Sequence, residues 1–167
     1  MTPGDVRRIV TLDEAGRQVD EARREGRTIV LANGAFDLLH VGHLRYLDAA
    51  RQLGDVLIVG VNSDESVTRL KGPGRPLIPQ GERAELLTGL RAVDLVVIFD
   101  ENDVCSLLDR LRPDIHAKGT DYAVDTVPER DMVASYGGEV HICGDPKDHA
   151  STDLIAHIQS QATSAAD

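Results

Sequence analysis

The chain has 167 residues, 28 acidic against 18 basic, a formal net charge of −10, and only 3% aromatic residues. That length suits one domain burying roughly 70% of its unfolded surface, and the acidity argues against nucleic-acid backbones and anionic membrane surfaces as partners. Two cysteines, Cys105 and Cys143, are too few for a disulfide framework, and residues 1–10 lack the apolar core of a secretion signal, so the expectation is a cytoplasmic protein.

Residues 1–27 are expected to hold an accessory helix, from Asp13 or Glu14 to Glu25, with Leu12, Ala15, Val19 and Ala22 as its buried stripe and Gly26 as its stop. Five aliphatic runs follow, at 28–32, 55–61, 93–99, 114–117 and 139–143. They are apolar nearly throughout, as strands covered on both faces are. Stretches of helical spacing separate them, such as Leu44, Leu47, Ala50 and Leu53, or Leu107, Leu108 and Leu111 ahead of Pro113. Alternating strands and helices predict an α/β fold, one doubly wound domain over residues 28–160 with a five-stranded parallel sheet, and residues 161–167 as a frayed tail. In such a sheet the ligand sits beyond the carboxyl ends of the strands.

The first strand runs into Asn33, Gly34, Ala35, Phe36, Asp37 and then His40, Val41, Gly42 and His43, where a helix to about Leu53 begins. A glycine turn that feeds a helix N-terminus offers free N–H groups and a positive dipole end, a setting for phosphate. His40 and His43, three apart, would share one side of the first turn and donate to charge that develops on a phosphoryl group. A histidine pair at this spacing could also ligate zinc, but the remaining His and Cys residues are scattered and supply no third and fourth ligand at suitable spacing.

After the second strand come Asn62, Ser63 and Asp64, and then residues 66–80 carry Arg69, Lys71 and Arg75 with no acidic residue, +3 inside a −10 chain. Gly72, Pro73 and Gly74 mark this stretch as a loop, leading to a helix from about Gln80 that contains Arg83. Such a run is usually solvated surface, but beside the histidine segment it suits several phosphates. The fourth strand ends in Lys118, Gly119, Thr120, Asp121 and Tyr122, and Ser151 and Thr152 stand where the N-cap of a last helix belongs, ahead of Leu154, Ile155 and Ile158.

The string Gly34-x-Phe36-Asp37-Leu38-Leu39-His40-x-Gly42-His43 resembles the signature of the HxGH nucleotidyltransferases, the cytidylyltransferase-like superfamily. With Val59 to Asp64, Arg69 to Pro76, Glu82 to Glu85, Val93 to Asp100 and Lys118-Gly119-x-Asp121-Tyr122, the chain is similar to the adenylyltransferase domain of ADP-heptose synthesis, which acts on D-glycero-β-D-manno-heptose 1-phosphate. The resemblance implies a Rossmann-like sheet and transfer of AMP from ATP to a sugar 1-phosphate, with Mg²⁺ as counter-ion of the triphosphate, in a homodimer.

It further implies that His40, His43 and Lys71 are catalytic and that Asn33, Gly34, Ala35, Phe36, Gly42, Arg83, Lys118, Gly119, Ser151 and Thr152 bind the nucleotide. Asp37, Asn62, Asp64, Arg75 and Asp121 would meet the acceptor, and no metal is bound by the protein itself. Two alternatives stay open, a cytidylyltransferase for glycerol 3-phosphate or another polyol phosphate, and a nucleotide-binding module without turnover. Asp145 and Lys147 stand where glycerol-phosphate enzymes often place an arginine, which weakens the first.

Overall fold

The structure, a computed structural model, describes residues 8–145, 155–158 and 160–161. Its element order is α1 (Leu12–Arg24), β1 (Ile29–Gly34), α2 (Val41–Arg51), β2 (Val56–Asn62), α3 (Asp64–Lys71), α4 (Gln80–Thr88), β3 (Leu95–Phe99), α5 (Cys105–Leu111), β4 (Ile115–Gly119), α6 (Arg130–Ser135) and β5 (Glu139–Cys143). Residues 155–158 and 160–161 are also helical, while Ser151 and Thr152 lie outside the described residues.

The five strands form one parallel sheet in the order β3-β2-β1-β4-β5. Both faces are covered, which explains the unbroken apolar runs. One core joins Ala15, Val19 and Ala22 of α1 and Leu107, Leu108 and Leu111 of α5 to Ile29, Leu31, Ile58 and Val97; the other joins Leu47 and Ala50 of α2 and Ala84 and Leu87 of α4 to Val30, Ala32, Leu57 and Val59. The helix expected as an accessory is thus part of the first core. Leu44 was expected in the α2 stripe, yet it is 41% exposed. Upstream of α1, Arg8 and Val10 hydrogen-bond Val96 and cover the free edge of β3. Among the described residues no helix is long and apolar enough to cross a membrane.

Residues 66–71, expected within a loop, are helical. Ser63 caps α3 by accepting the Ser66 N–H, Asp64 and Glu65 occupy its first turn and Arg69 and Lys71 its last, the charge order that a helix dipole favours. Gly72, at φ 91°, ends the helix in a conformation that side chains disfavour.

At the start of α1, Thr11 and Glu14 form a reciprocal capping box: the Glu14 N–H donates to Thr11 Oγ1 at 3.2 Å, and the Thr11 N–H donates to the Glu14 carboxylate at 2.9 Å. Thr11→Ala should therefore cost about 1 kcal/mol, read as a lower urea midpoint at an unchanged slope.

Candidate active site

A cleft of about 610 Å³ opens beyond the carboxyl ends of β1, β2, β4 and β5, at the point where the sheet order reverses around β1. Asn33, Gly34, Ala35, Phe36, Asp37, His40, Gly42, His43, Asn62, Lys71, Lys118, Gly119 and Asp121 all line it. Arg75, Arg83 and Asp64 do not.

His40 is the N-cap of α2, and its Nδ1 accepts the Gly42 N–H at 3.1 Å. That bond fixes the ring proton on Nε2 and keeps Nε2–H as a donor. Its ring stacks on that of His43 at 3.9 Å between centroids, so the pair meets as a cap and a first-turn residue and not as two helical neighbours. Behind them, Phe36 packs 5.2 Å from the His43 ring. Gly34 makes room for Phe36, since a Cβ there would stand 3.2 Å from the phenyl ring. Burial first, and then the proximity of His40, which competes for the same proton, and the charge of Lys71, lower the His43 pKa from 6.5 to about 4, against a hydrogen bond with the Leu38 backbone. At neutral pH His43 is therefore uncharged.

Lys71 sits exposed at the end of α3 on the cleft rim. The rest of the expected basic loop is engaged elsewhere. Arg69 reaches the segment after β3, donating to Asn102 Oδ1 at 2.9 Å and to the Asp100 carbonyl. Arg75 Nε is 2.5 Å from Asp37 Oδ2, and the Leu77 and Ile78 N–H groups donate to Asp37 Oδ1 at 2.7 and 3.1 Å. Burial opposes the Asp37 charge, but these donors outweigh it and hold the carboxyl below its usual range. The acceptor contacts expected of Asp37 and Arg75 thus give way to a structural bond between loops.

Arg83 lies off the cleft lining. It is fully buried, and its guanidinium donates to Asp64 Oδ1 at 2.7 Å, to the Ile78 carbonyl at 2.9 Å and to the Ala35 carbonyl. In this arrangement it is a strut where a phosphate contact was expected, and Asp64 is its counter-charge where an acceptor contact was expected. Asn62 lies buried at the cleft floor, with Nδ2 donating to Ser66 Oγ at 3.0 Å.

On the β4 side, Lys118 Nζ lies 3.4 Å from Glu129 Oε2 and 4.8 Å from the Tyr122 ring centroid. His116, fully buried, donates from Nε2 to Asn33 Oδ1 at 3.2 Å and so orients that amide. Sequence reasoning missed Glu129, Tyr46 and the Arg45–Asp145 pair. Tyr46 follows His43 by three residues, a helical spacing that could have flagged it; its hydroxyl donates to the Ala117 carbonyl at 2.8 Å. Arg45 meets Asp145 at 2.7 Å across 100 residues of sequence, and nothing local announces either that pair or Glu129.

A doubly wound sheet whose switch point carries a histidine-capped helix start and two lysines places the chain among α/β domains with a strand-end cleft. The cytidylyltransferase-like family matches residues 31–160, and the chain belongs to that family of nucleotidyltransferases. It is 51% identical over 150 residues to the bifunctional protein HldE of Syntrophotalea carbinolica, covering 89% of this chain and 31% of that protein. To HldE of Pseudomonas syringae pv. syringae it is 46% identical over 158 residues, 95% of this chain and 33% of that one. The chain thus spans about a third of these curated relatives. Among solved structures, a lipopolysaccharide core biosynthesis protein from Thermoplasma volcanium aligns with a TM-score of 0.60 and 32% identity, over 70% of this chain and 94% of that one.

Burial, and then the Lys118 charge, lower the His116 pKa from 6.5 to about 3. A depressed histidine contributes stability that is present above pH 6.5 and lost as pH falls towards 3, because the unfolded chain binds the proton first. His116→Gln, which keeps a donor for Asn33, should lack this loss. Urea midpoints of the two proteins should differ most at pH 7 and converge towards pH 4.

Proposed function

We propose that this chain transfers AMP from ATP to a sugar 1-phosphate, with D-glycero-D-manno-heptose 1-phosphate as the preferred acceptor. The observation that carries the reading is the stacked His40–His43 pair at the start of α2, lining one cleft with Lys71. The likeness to HldE proteins and to a lipopolysaccharide core biosynthesis protein supports the heptose acceptor, as does the motif set of ADP-heptose synthesis.

An acceptor phosphate oxygen attacks the α-phosphorus in line; the new P–O bond forms as the bond to the β-phosphate oxygen breaks, and pyrophosphate leaves with those electrons. The nucleophile is already ionised near neutral pH, so no side chain need accept a proton. Catalysis then rests on positioning and on charge stabilisation. His40 Nε2–H, the His43 imidazole and the positive end of the α2 dipole hold the triphosphate, with Asn33, Gly34, Ala35, Phe36, Gly42 and Gly119 shaping the nucleotide's bed. Lys71 bridges donor and acceptor, Lys118 adds a second ammonium, and Asp121 faces the acceptor. Ser151 and Thr152 complete the phosphate contacts in this reading.

Mg²⁺ enters with ATP as part of the substrate. Of the five carboxylates that line the cleft, Asp37, Asp145 and Glu129 are each paired with a cation of the protein, which suits a metal held mainly by phosphates and water. We place the reaction in the cytoplasm and in a homodimer. Exposed Leu70, Leu77 and Leu86, on α3, the loop after it and α4, support a subunit contact.

Pyrophosphate release with ATP, CTP, GTP and UTP against sugar 1-phosphates and polyol phosphates tests the reading. ATP with the heptose phosphate should give the highest kcat/KM, and silence with every pair from folded protein would leave a binding module. His43→Ala and Lys71→Ala should each lower kcat by about 100-fold or more while shifting the urea midpoint little. Near-normal turnover in either variant removes the role given to that residue.

A further inference from the structure

Lys118 and Glu129 face each other across the β4 wall of the cleft with side chains only 7% and 9% exposed. They meet as charges, but not along a hydrogen bond: Glu129 Oε2 accepts from no donor of the protein. A buried carboxylate oxygen without a hydrogen-bond donor is costly even beside an ammonium, so a ligand donor that reaches it offsets part of that cost. The ammonium beside it already supplies the cation, and a phosphate would meet a like charge. A hydroxyl suits both partners at once, since it donates to Oε2 and its oxygen accepts from Nζ. The Tyr122 ring, 40% exposed and beside the same ammonium, adds an apolar face for the C–H side of a sugar ring.

The wall also carries Asp121 and Asp145. Its acidity disfavours a triphosphate more than a monophosphate, so the part of the wall around Glu129 faces the acceptor while the triphosphate lies towards α2. We propose that Glu129 is a specificity-determining residue for the acceptor: Oε2 accepts a hydrogen bond from one sugar hydroxyl, which in turn accepts from Lys118. This rests on the sugar-phosphate reading above, and the experiment separates the two.

Pyrophosphate release with ATP is measured for the wild type, Glu129→Ala and Glu129→Gln, using D-glycero-D-manno-heptose 1-phosphate and its singly deoxygenated analogues. In the wild type one analogue should lose about 10- to 100-fold in kcat/KM, the size of one hydrogen bond to a charged group. In Glu129→Ala the parent should fall to the level of that analogue and the difference between them should vanish, while KM for ATP stays within about twofold. Glu129→Gln, which keeps an acceptor oxygen without the charge, should lie between and carries the comparison if the alanine variant does not fold. A variant that keeps the wild-type analogue pattern, lowers parent and analogues by one common factor, or moves KM for ATP alone overturns the contact. No release by the wild type with the heptose phosphate fails the sugar-phosphate reading itself and takes this contact with it.

Discussion

Asp37 carries a carboxylate that is 1% exposed, between two loops that would otherwise have no reason to meet. Withdrawing such a charge from water costs several kcal/mol, and only good geometry offsets it. Here one oxygen takes two backbone N–H groups and the other a guanidinium. The segment that leads from β1 to His40 is thereby joined to residues 75–78, beyond the helix that ends in Lys71. Arg83 makes the same connection from beneath, binding the carbonyls of Ala35 and Ile78 together. The histidine stack and the lysine, which α2 and α3 present separately, become two sides of one rigid mouth.

That arrangement changes what the net charge means. An acidic chain with a basic loop suggests an electrostatic funnel, but Arg69, Arg75 and Arg83 are all committed to partners of the protein. The groups that line the cleft on this side are Lys71, the start of α2 and two imidazoles, of which His43 is neutral at pH 7. Fixed dipoles and neutral donors need no reorganisation as charge develops, and they do not draw in every polyanion that passes. Incoming phosphate also favours protonation of His43, so the ligand can create part of the charge that holds it.

Sequence pattern located the strands because burial on both faces makes a run apolar throughout; 139–143 coincides with β5. The other ends drift where polar residues continue a strand, as Asn33 and Gly34 continue β1. The histidine segment was visible because its residues are contiguous and sit at one strand-to-helix junction, but the capping role of His40 was not. Residues 66–71 misled because Gly72-Pro73-Gly74 dominates the composition, although Ser63 and the acid-to-base order of Asp64 to Lys71 were the better signal. The ionic partners could not be read at all. Asp37 and Arg75 are 38 residues apart, and the sign of a charge says nothing about whether it faces a ligand or a neighbour.

The sheet itself divides the labour of the cleft. Register sets Leu31 beside His116, so Asn33, His116 and Lys118 share the face covered by α5 and α6, while Phe36 belongs to the core beneath α2 and α4. Each face delivers a different chemistry to the switch point. From the α2 side come the His40 and His43 imidazoles and the positive end of a helix dipole, which suit phosphate oxygens. From the β4 side come a lysine already matched by Glu129 and an amide already oriented by His116, which fit neutral polar groups. In the function proposed above, a phosphorylated sugar would present both kinds of surface within one small molecule, its phosphate towards α2 and its hydroxyls against the other wall.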